Sequence, residues 1–311
     1  MAVQHKSWVA SFKPKYDPDV LTAIEADAEG TIDCDGVRVG YQVFGAGPQA
    51  VLLLPTWSII HSDFWRHQVP HLASRYKVVA FDGPGNGSSD RPADAAAFAE
   101  RRVAQDALAV LDAVEVEQAA IVSVSQGGCW GLILAAEHPD RIPAAVFIAA
   151  DLPFGPSHPE QERAFETFDD ELPHYEGWSK WNRHYWNQDW PGFLEFFFSQ
   201  CFTEPNSATQ IEHFIGMGME TDPATITATL DAPALTEEEA RHLAASLGRP
   251  TLVIHGDGDA ITPLQRGKTL ARLAECHLAV LPGSGHEPQC RIPDHVNGMI
   301  DRFFARHYPA A

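Results

Sequence analysis

A serine placed where a strand pattern meets a helix pattern is the residue of this sequence best suited to nucleophilic chemistry. The pentapeptide Ser-Val-Ser-Gln-Gly, centred on Ser125, ends an apolar run and leads directly into a helical stretch. Small residues two positions away, Ser123 and Gly127, suit a sharp turn in which neighbouring backbones crowd each other. Such a turn exposes the hydroxyl group and points the N–H of Gln126 at a developing oxyanion. A serine that only caps a helix is the alternative interpretation.

A serine nucleophile needs a base, and the base needs a carboxylate to orient it. The segment HGDGDAITP places Asp259 just after a strand pattern, and GSGHEP places His286 just after the next one. Active-site groups gather at the carboxyl ends of parallel strands, and these residues follow the chain order Ser, Asp, His. Asp257 is a competing carboxylate, Asp259 could instead cap a helix, and His286 could be an ordinary loop histidine. The ordered set predicts a catalytic triad for acyl transfer.

These residues depend on strands and helices that alternate along most of the chain. The alternation indicates a mostly parallel sheet with helices on both faces, and right-handed crossovers make it doubly wound. It is preceded by an antiparallel hairpin with an Asp-Gly turn. The predicted strands span residues 31–34, 37–44, 50–55, 77–82, 119–124, 144–150, 251–256 and 277–282, and the predicted core helices span 63–74, 97–114, 126–137, 263–273 and 293–306.

The strand pattern stops between residues 152 and 247, a segment rich in aromatic residues. Trp178, Trp181, Tyr185 and Trp186 have the spacing of one helix face. We therefore predict a helical cap inserted into an α/β core. The predicted domains are an N-terminal leader at 1–28, a core at 29–151 and 248–311, and the cap at 152–247.

From about Gly30 to its end, the chain resembles serine hydrolases of the α/β-hydrolase fold. The resemblance is carried by the elbow at Ser125, by the ordered Asp and His, and by a glycine-rich turn at residues 82–90. It implies an oxyanion loop after the third strand, where this chain has Leu-Pro-Thr-Trp in place of the family's His-Gly. Trp57 in this loop would donate the second oxyanion N–H, beside that of Gln126.

The nature of the nucleophile narrows the chemistry that the resemblance implies. Epoxide hydrolases and haloalkane dehalogenases of this fold use an aspartate, so a serine favours acyl transfer and an acyl-enzyme intermediate. No metal or other cofactor is expected, because the histidines lack ligand spacing of the H-E-x-x-H kind. We interpret the histidines that suggest a metal as polar or packing residues: His61, His67, His71 and His255.

The aromatic cap predicts a bulky, largely apolar small-molecule substrate, since a cap over the elbow forms the roof of the pocket. For any single ring, packing in the core of the cap is the favoured interpretation. The candidate pocket residues are Thr56, Ser58 and His61 in the oxyanion loop, Trp130 after the elbow, and Trp178, Trp181 and Trp186 in the cap.

Two runs at residues 55–73 and 81–92 resemble a bacterial branch of this family that includes serine-dependent macrolide esterases. Those enzymes open the lactone of macrocyclic antibiotics, which would imply a role in antibiotic resistance. An aryl ester fits the aromatic cap equally well. The alternatives are C–C bond hydrolysis or acyl transfer on the same triad, or a non-catalytic ligand-binding module, which the altered oxyanion loop would suit.

Charge and cysteine content exclude several other classes of function. The chain has 22 Lys+Arg against 42 Asp+Glu, a formal net charge of −20, which disfavours nucleic acid and anionic membranes as partners. Five scattered cysteines, no secretory signal and no long apolar segment predict a cytoplasmic protein. The composition of residues 1–28 leaves open whether they mediate homodimer contacts.

Overall fold

Eight strands form one sheet in the computed structural model, which describes residues 25–309. Their spatial order is β1-β2-β4-β3-β5-β6-β7-β8. The strands are β1 Ala28–Cys34, β2 Val37–Phe44, β3 Ala50–Leu53, β4 Lys77–Phe81, β5 Ala119–Val124, β6 Ala145–Ile148, β7 Thr251–Gly256 and β8 His277–Leu281. Strand β2 pairs antiparallel with β1 and with β4, and the other pairs of neighbouring strands described here are parallel. The predicted mostly parallel, doubly wound fold is confirmed.

The α-helices of the described residues flank the sheet on both faces or lie between β6 and β7. They are α1 Gln68–Ala73, α2 Glu100–Ala113, α3 Gly127–Glu137, α4 Pro159–Glu166, α5 Arg183–Gln188, α6 Trp190–Cys201, α7 Ala208–Gly218, α8 Pro223–Leu230, α9 Glu237–Ala245, α10 Leu264–Leu273, α11 Pro288–Arg291 and α12 Pro293–His307. Helices α1 and α12 pack on one face of the sheet, and α2, α3, α9 and α10 pack on the other. The central strands β3, β5, β6 and β7 are buried along their whole length, which explains their continuous apolar runs.

The chain leaves the sheet after β6 and returns to it at β7, and the segment between these strands is helical. The predicted insertion extends to residue 247, but its last helix, α9, packs with α3 and α10 against the sheet. The aromatic side chains of α5 and α6 instead form one core with residues above the other face of the sheet. The cap over the site is therefore built from α4 to α8.

The prediction of one helix carrying Trp178 and Trp186 on a single face is wrong. A 3₁₀ turn, Gly177–Lys180, is followed by a separate short helix, α5. The chain restarts at Asn182, whose side-chain oxygen accepts hydrogen bonds from the backbone N–H groups of the first turn of α5. The tryptophans still converge on one aromatic core, because Trp181, at the break, contacts both Trp178 and Trp186.

Most of the predicted leader, residues 1–28, lies outside the described residues, and β1 begins at its end with Ala28. Within the described part of the chain, no helix has the length and apolar character needed to cross a membrane.

Asn182 generates a prediction about the stability of the cap. Its amide nitrogen donates to the carbonyls of Thr167 and Asp170, both at 2.9 Å, while its oxygen caps α5, and the side chain is fully buried. Asn182→Ala removes the N-cap of α5 together with both hydrogen bonds to the Thr167 and Asp170 carbonyls. We expect the free energy of unfolding to fall by about 3 kcal/mol, measured by denaturant titration.

Asn187→Ala is the matched control, since Asn187 lies exposed on the same helix. Its effect should stay within about 0.5 kcal/mol. Equal effects of the two variants would contradict the role assigned to the Asn182 cap.

Candidate active site

Ser125 occupies a strained turn between β5 and α3. Its φ is 52°, in the left-handed region that residues with side chains rarely adopt. The turn is held on both sides: the Ser125 N–H donates to the Ile148 carbonyl at 3.1 Å, and its carbonyl accepts from the N–H groups of Gly128 and Asp151, both at 2.9 Å. This is the geometry of a nucleophile elbow, in which strain and exposure of the hydroxyl go together.

The small residues around Ser125 are required by the close approach of neighbouring chain segments. A Cβ atom at Gly127 would collide with the Pro55 carbonyl oxygen, and one at Gly128 would lie 2.6 Å from the Ala150 Cβ. Ser123 is fully buried and still fits. Its replacement of the family's usual glycine therefore leaves the turn intact.

Asp259 and His286 form a buried pair at the carboxyl ends of β7 and β8. His286 Nδ1 lies 2.9 Å from Asp259 Oδ2, and the two side chains are 3% and 0% exposed. Asp259 Oδ1 accepts from the N–H groups of Ile261 and Thr262 at 2.8 and 2.9 Å. The competing carboxylate, Asp257, instead accepts from the Gly283 N–H. Of the two candidates, Asp259 is thus the one that orients the histidine.

The electrostatics of this pair follow from its burial and its charges. Burial alone would raise the pKa of Asp259, but the charges and hydrogen bonds of His286 and His255 outweigh it and hold that pKa well below its usual range. Burial alone would lower the pKa of His286, whereas the charge and hydrogen bond of Asp259 raise it to about 9. The pair therefore favours an imidazolium beside a carboxylate, the state that a general base reaches after it takes a proton.

Two buried polar residues beside this pair were not predicted to belong to the site. His255, interpreted as a packing residue, is fully buried with Nε2 3.3 Å from Asp259 Oδ2 and 3.0 Å from the Thr262 carbonyl. Glu287 follows His286 and accepts a hydrogen bond from the Gln289 amide, and burial raises the pKa of Glu287 to about 7. In the sequence, only the positions of these residues could have indicated a role in the site. His255 lies four residues before Asp259, and Glu287 directly follows His286.

Ser125 lies in the wall of a cavity of about 520 Å³ beneath the cap. Across residues 25–309, no hydrogen bond joins its hydroxyl group to the His286 ring. Such bonds are often long in enzymes before substrate binds. The Asp259–His286 pair is therefore shown directly, while the role of Ser125 rests on its position in the elbow.

The cavity is mostly apolar and is lined on one side by residues of the cap. Its lining residues are Trp57, Glu100, Ser125, Gln126, Asp151, Ser157, Gln161, Phe165, Phe168, Asp169, Trp178, Trp181, Arg183, Phe197, Thr229, Leu230, Asp231, Ile261 and Arg266. The Trp57 indole donates to Thr229 Oγ1 at 2.7 Å and stacks on Trp181 with 5.1 Å between ring centroids. The oxyanion loop and the cap thus share one wall.

Both predicted oxyanion donors, Trp57 and Gln126, line the cavity beside Ser125. In the described part of the chain, neither backbone N–H donates to a protein acceptor. Two uncommitted N–H groups next to a nucleophile are what an oxyanion hole requires.

Of the seven predicted pocket residues, Trp178 and Trp181 line the cavity. The other five lie away from it for separate reasons. Thr56 is buried in the oxyanion loop, Ser58 donates to the Pro84 carbonyl, His61 lies 3.5 Å from Glu220, Trp130 borders a much smaller void, and Trp186 is fully buried among the rings of the cap.

None of the charged residues in the cavity lining was predicted from the sequence to belong to the pocket. Arg266 pairs with Asp151, and Arg183 pairs with Asp169 at 2.5 Å. Two further carboxylates, Glu100 and Asp231, also face the cavity, so its lining carries more negative than positive groups. Burial raises the pKa of Glu100. Asp151 could have been found, since it directly follows a predicted strand at the active-site edge.

Comparison with known proteins agrees with this geometry. The family model described as the alpha/beta hydrolase fold matches residues 49–290. A 2-hydroxymuconate semialdehyde hydrolase of Pseudomonas sp. (strain CF600) is 32% identical over 79% of this chain and 83% of its own length. The 3-oxoadipate enol-lactonase 2 of Acinetobacter baylyi is 23% identical over 89% of this chain and 96% of its own length.

Solved structures lead to the same fold. The enol-lactonase of Burkholderia xenovorans superposes with a TM-score of 0.71 at 19% identity, covering 89% of this chain and all of that one. At that level of identity the likeness speaks to the fold alone. Together with the family match over most of the chain, it shows that the protein belongs to the α/β-hydrolase family.

Proposed function

We propose that this protein is a serine hydrolase that cleaves a carboxylic ester or lactone of a bulky, largely apolar small molecule. The observation that carries the proposal is the strained elbow of Ser125 in a cavity wall, at the sheet edge where Asp259 and His286 form a buried pair. Hydrolysis by the family, which includes enol-lactonases among the relatives of this chain, supports the same reaction class.

In the proposed mechanism, Asp259 holds the proton of His286 on Nδ1, so that Nε2 can accept the proton of the Ser125 hydroxyl. Oγ of Ser125 attacks the carbonyl carbon, and the N–H groups of Trp57 and Gln126 donate to the resulting oxyanion. His286 then gives its proton to the leaving alcohol. Water attacks the acyl-enzyme with His286 again as base, which releases the acid and restores the serine.

The volume and the charge of the cavity favour a neutral or cationic substrate. Its volume, about 520 Å³, suits a drug-sized molecule. The aromatic rings offer apolar contact, and each arginine in the lining is already paired with a carboxylate. A macrocyclic lactone is the finer proposal, supported by the resemblance of residues 55–73 and 81–92 to macrolide esterases.

Hydrolysis of a C–C bond is the second candidate, because one relative at 32% identity is named a 2-hydroxymuconate semialdehyde hydrolase. That substrate carries a carboxylate, and a surplus of negative groups faces the cavity here. Electrostatic repulsion would weaken its binding. Comparing kcat/KM for 2-hydroxymuconate semialdehyde with that for neutral aryl esters separates the two reactions.

Ser125→Ala should lower kcat for a chromogenic aryl ester by about 10⁴-fold or more, because the nucleophile is lost while binding is retained. A fluorophosphonate probe should label the wild type and not the variant, as measured by intact-protein mass spectrometry.

Ser199→Ala serves as the control, since Ser199 is exposed on α6 of the cap. It should keep both activity and labelling. Ester turnover by Ser125→Ala would refute the assignment, and a wild type that neither turns over esters nor reacts with the probe would favour a binding module.

The raised pKa of His286, about 9, predicts activity that increases with pH. His286 acts as a base only when neutral, so kcat/KM should rise as the ring loses its proton, with an inflection above the ordinary 6.5. Activity at pH 9 should exceed that at pH 7 by roughly tenfold or more. Rates are corrected with Ser125→Ala as the blank, and a plateau reached by pH 7 would contradict the prediction.

Three aryl esters of equal size that differ only in a distal trimethylammonium, tert-butyl or carboxylate group test the charge of the cavity. We expect kcat/KM to be lowest for the carboxylate and the differences to shrink at high salt. Asp231→Asn should narrow the gap, because Asp231 is exposed at the cavity. Faster cleavage of the anionic ester would contradict the proposed substrate class.

A further inference from the structure

The chain that leaves helix α6 of the cap contacts the two loops that carry the acid and the base. We call residues 257–262 the acid loop and residues 282–287 the base loop. Among residues 201–204, Thr203 Oγ1 donates to the Gly258 carbonyl of the acid loop at 3.2 Å. The cap is thus bonded to the sheet edge at the catalytic loops themselves.

The contacts of this segment with the base loop are more extensive. The N–H of His286 donates to the Cys201 carbonyl at 3.0 Å. Oε1 of Glu204 accepts from the Gly285 N–H at 2.8 Å and from Ser284 Oγ at 3.2 Å. Oε2 of Glu204 is buried and has no hydrogen-bond partner within the described chain. Three consecutive residues of the base loop therefore bond to the cap, and two of them share one carboxylate oxygen.

The base loop has little room to move. A Cβ atom at Gly285 would lie 2.9 Å from both the Cys201 carbonyl oxygen and Thr203 Oγ1, so the backbones lie in close contact. The acid and base loops are also bonded to each other, since the Gly258 N–H donates to the Ser284 carbonyl at 3.0 Å. A shift of the cap segment would consequently move both loops.

We propose that Glu204 is a positioning residue, which holds the base loop so that the His286 ring stays aligned with Asp259. Its carboxylate oxygen fixes the two residues that precede His286, and the chain beside it fixes the His286 backbone. The cap then has a second task beyond covering the cavity. The effect on catalysis rests on the proposed function, whereas the effect on the Asp259–His286 pair does not.

Two substitutions separate acceptor position from charge. Glu204→Gln keeps an oxygen acceptor at the same reach and loses the charge, while Glu204→Asp keeps the charge and shortens the side chain by one methylene. We expect Glu204→Asp to lower kcat for an aryl ester by about tenfold or more with KM changed less than about twofold, because a small misalignment of a catalytic group is costly. Glu204→Gln should keep kcat within about threefold of the wild type.

A proton NMR measurement tests the positioning directly. The proton between His286 Nδ1 and Asp259 resonates far downfield, and His286→Ala assigns it by its absence. We expect this resonance to be retained in Glu204→Gln and to weaken or shift in Glu204→Asp. Glu195→Ala, which removes an exposed carboxylate from α6, is the control and should leave the resonance and kcat unchanged.

Normal kcat and resonance in Glu204→Asp would overturn the proposal, as would equal loss in both variants or loss only in Glu204→Gln. If the wild type lacks ester hydrolysis, the proposed function fails, and the resonance in the two variants still decides the role of Glu204.

Discussion

A carboxylate with no exposed surface is the constraint on which the catalytic edge of this molecule depends. The side chain of Asp259 is wholly buried, and a charge in that position is very costly unless it is paired and hydrogen-bonded. Two N–H groups of its own loop and two imidazoles compensate it, and one of these, His286, follows the neighbouring strand. This requires β7 and β8 to be parallel neighbours whose loops leave the sheet at the same edge. The order of strands therefore decides whether the histidine can be oriented at all.

The aromatic core of the cap imposes a second dependence. The Trp57 indole belongs to the oxyanion loop, yet it stacks on Trp181, meets Phe197 edge-on and donates a hydrogen bond to Thr229. Rings of this size contribute both buried area and preferred geometries. The Trp57 side chain therefore packs in the cap, while the backbone N–H of the same residue is a proposed oxyanion donor. Packing of the cap and orientation of this donor consequently depend on each other. That contact with the cap accounts for a bulky side chain in this loop.

The sheet and the Asp–His pair could be read from the sequence, because buried parallel strands have continuous apolar runs and active-site loops follow them in a known order. The cap could not. Spacing predicted one helix through Trp178 and Trp186, whereas Asn182 ends one segment and caps the next. The hydrophobic pattern of the sequence also cannot tell which face of α3 meets the cavity. It therefore predicts Trp130 in the pocket, whereas this residue lies away from the cavity. Arg266 and Asp151 meet only through the tertiary fold.

Catalysis and folding make opposite demands at position 125. A residue with a side chain loses roughly 1–2 kcal/mol in the left-handed conformation that Ser125 adopts, and a glycine would lose none of it. Enzymes commonly trade stability for activity in this way. Under the proposed mechanism, the hydroxyl group of Ser125 supplies the chemistry for which this conformational cost is retained.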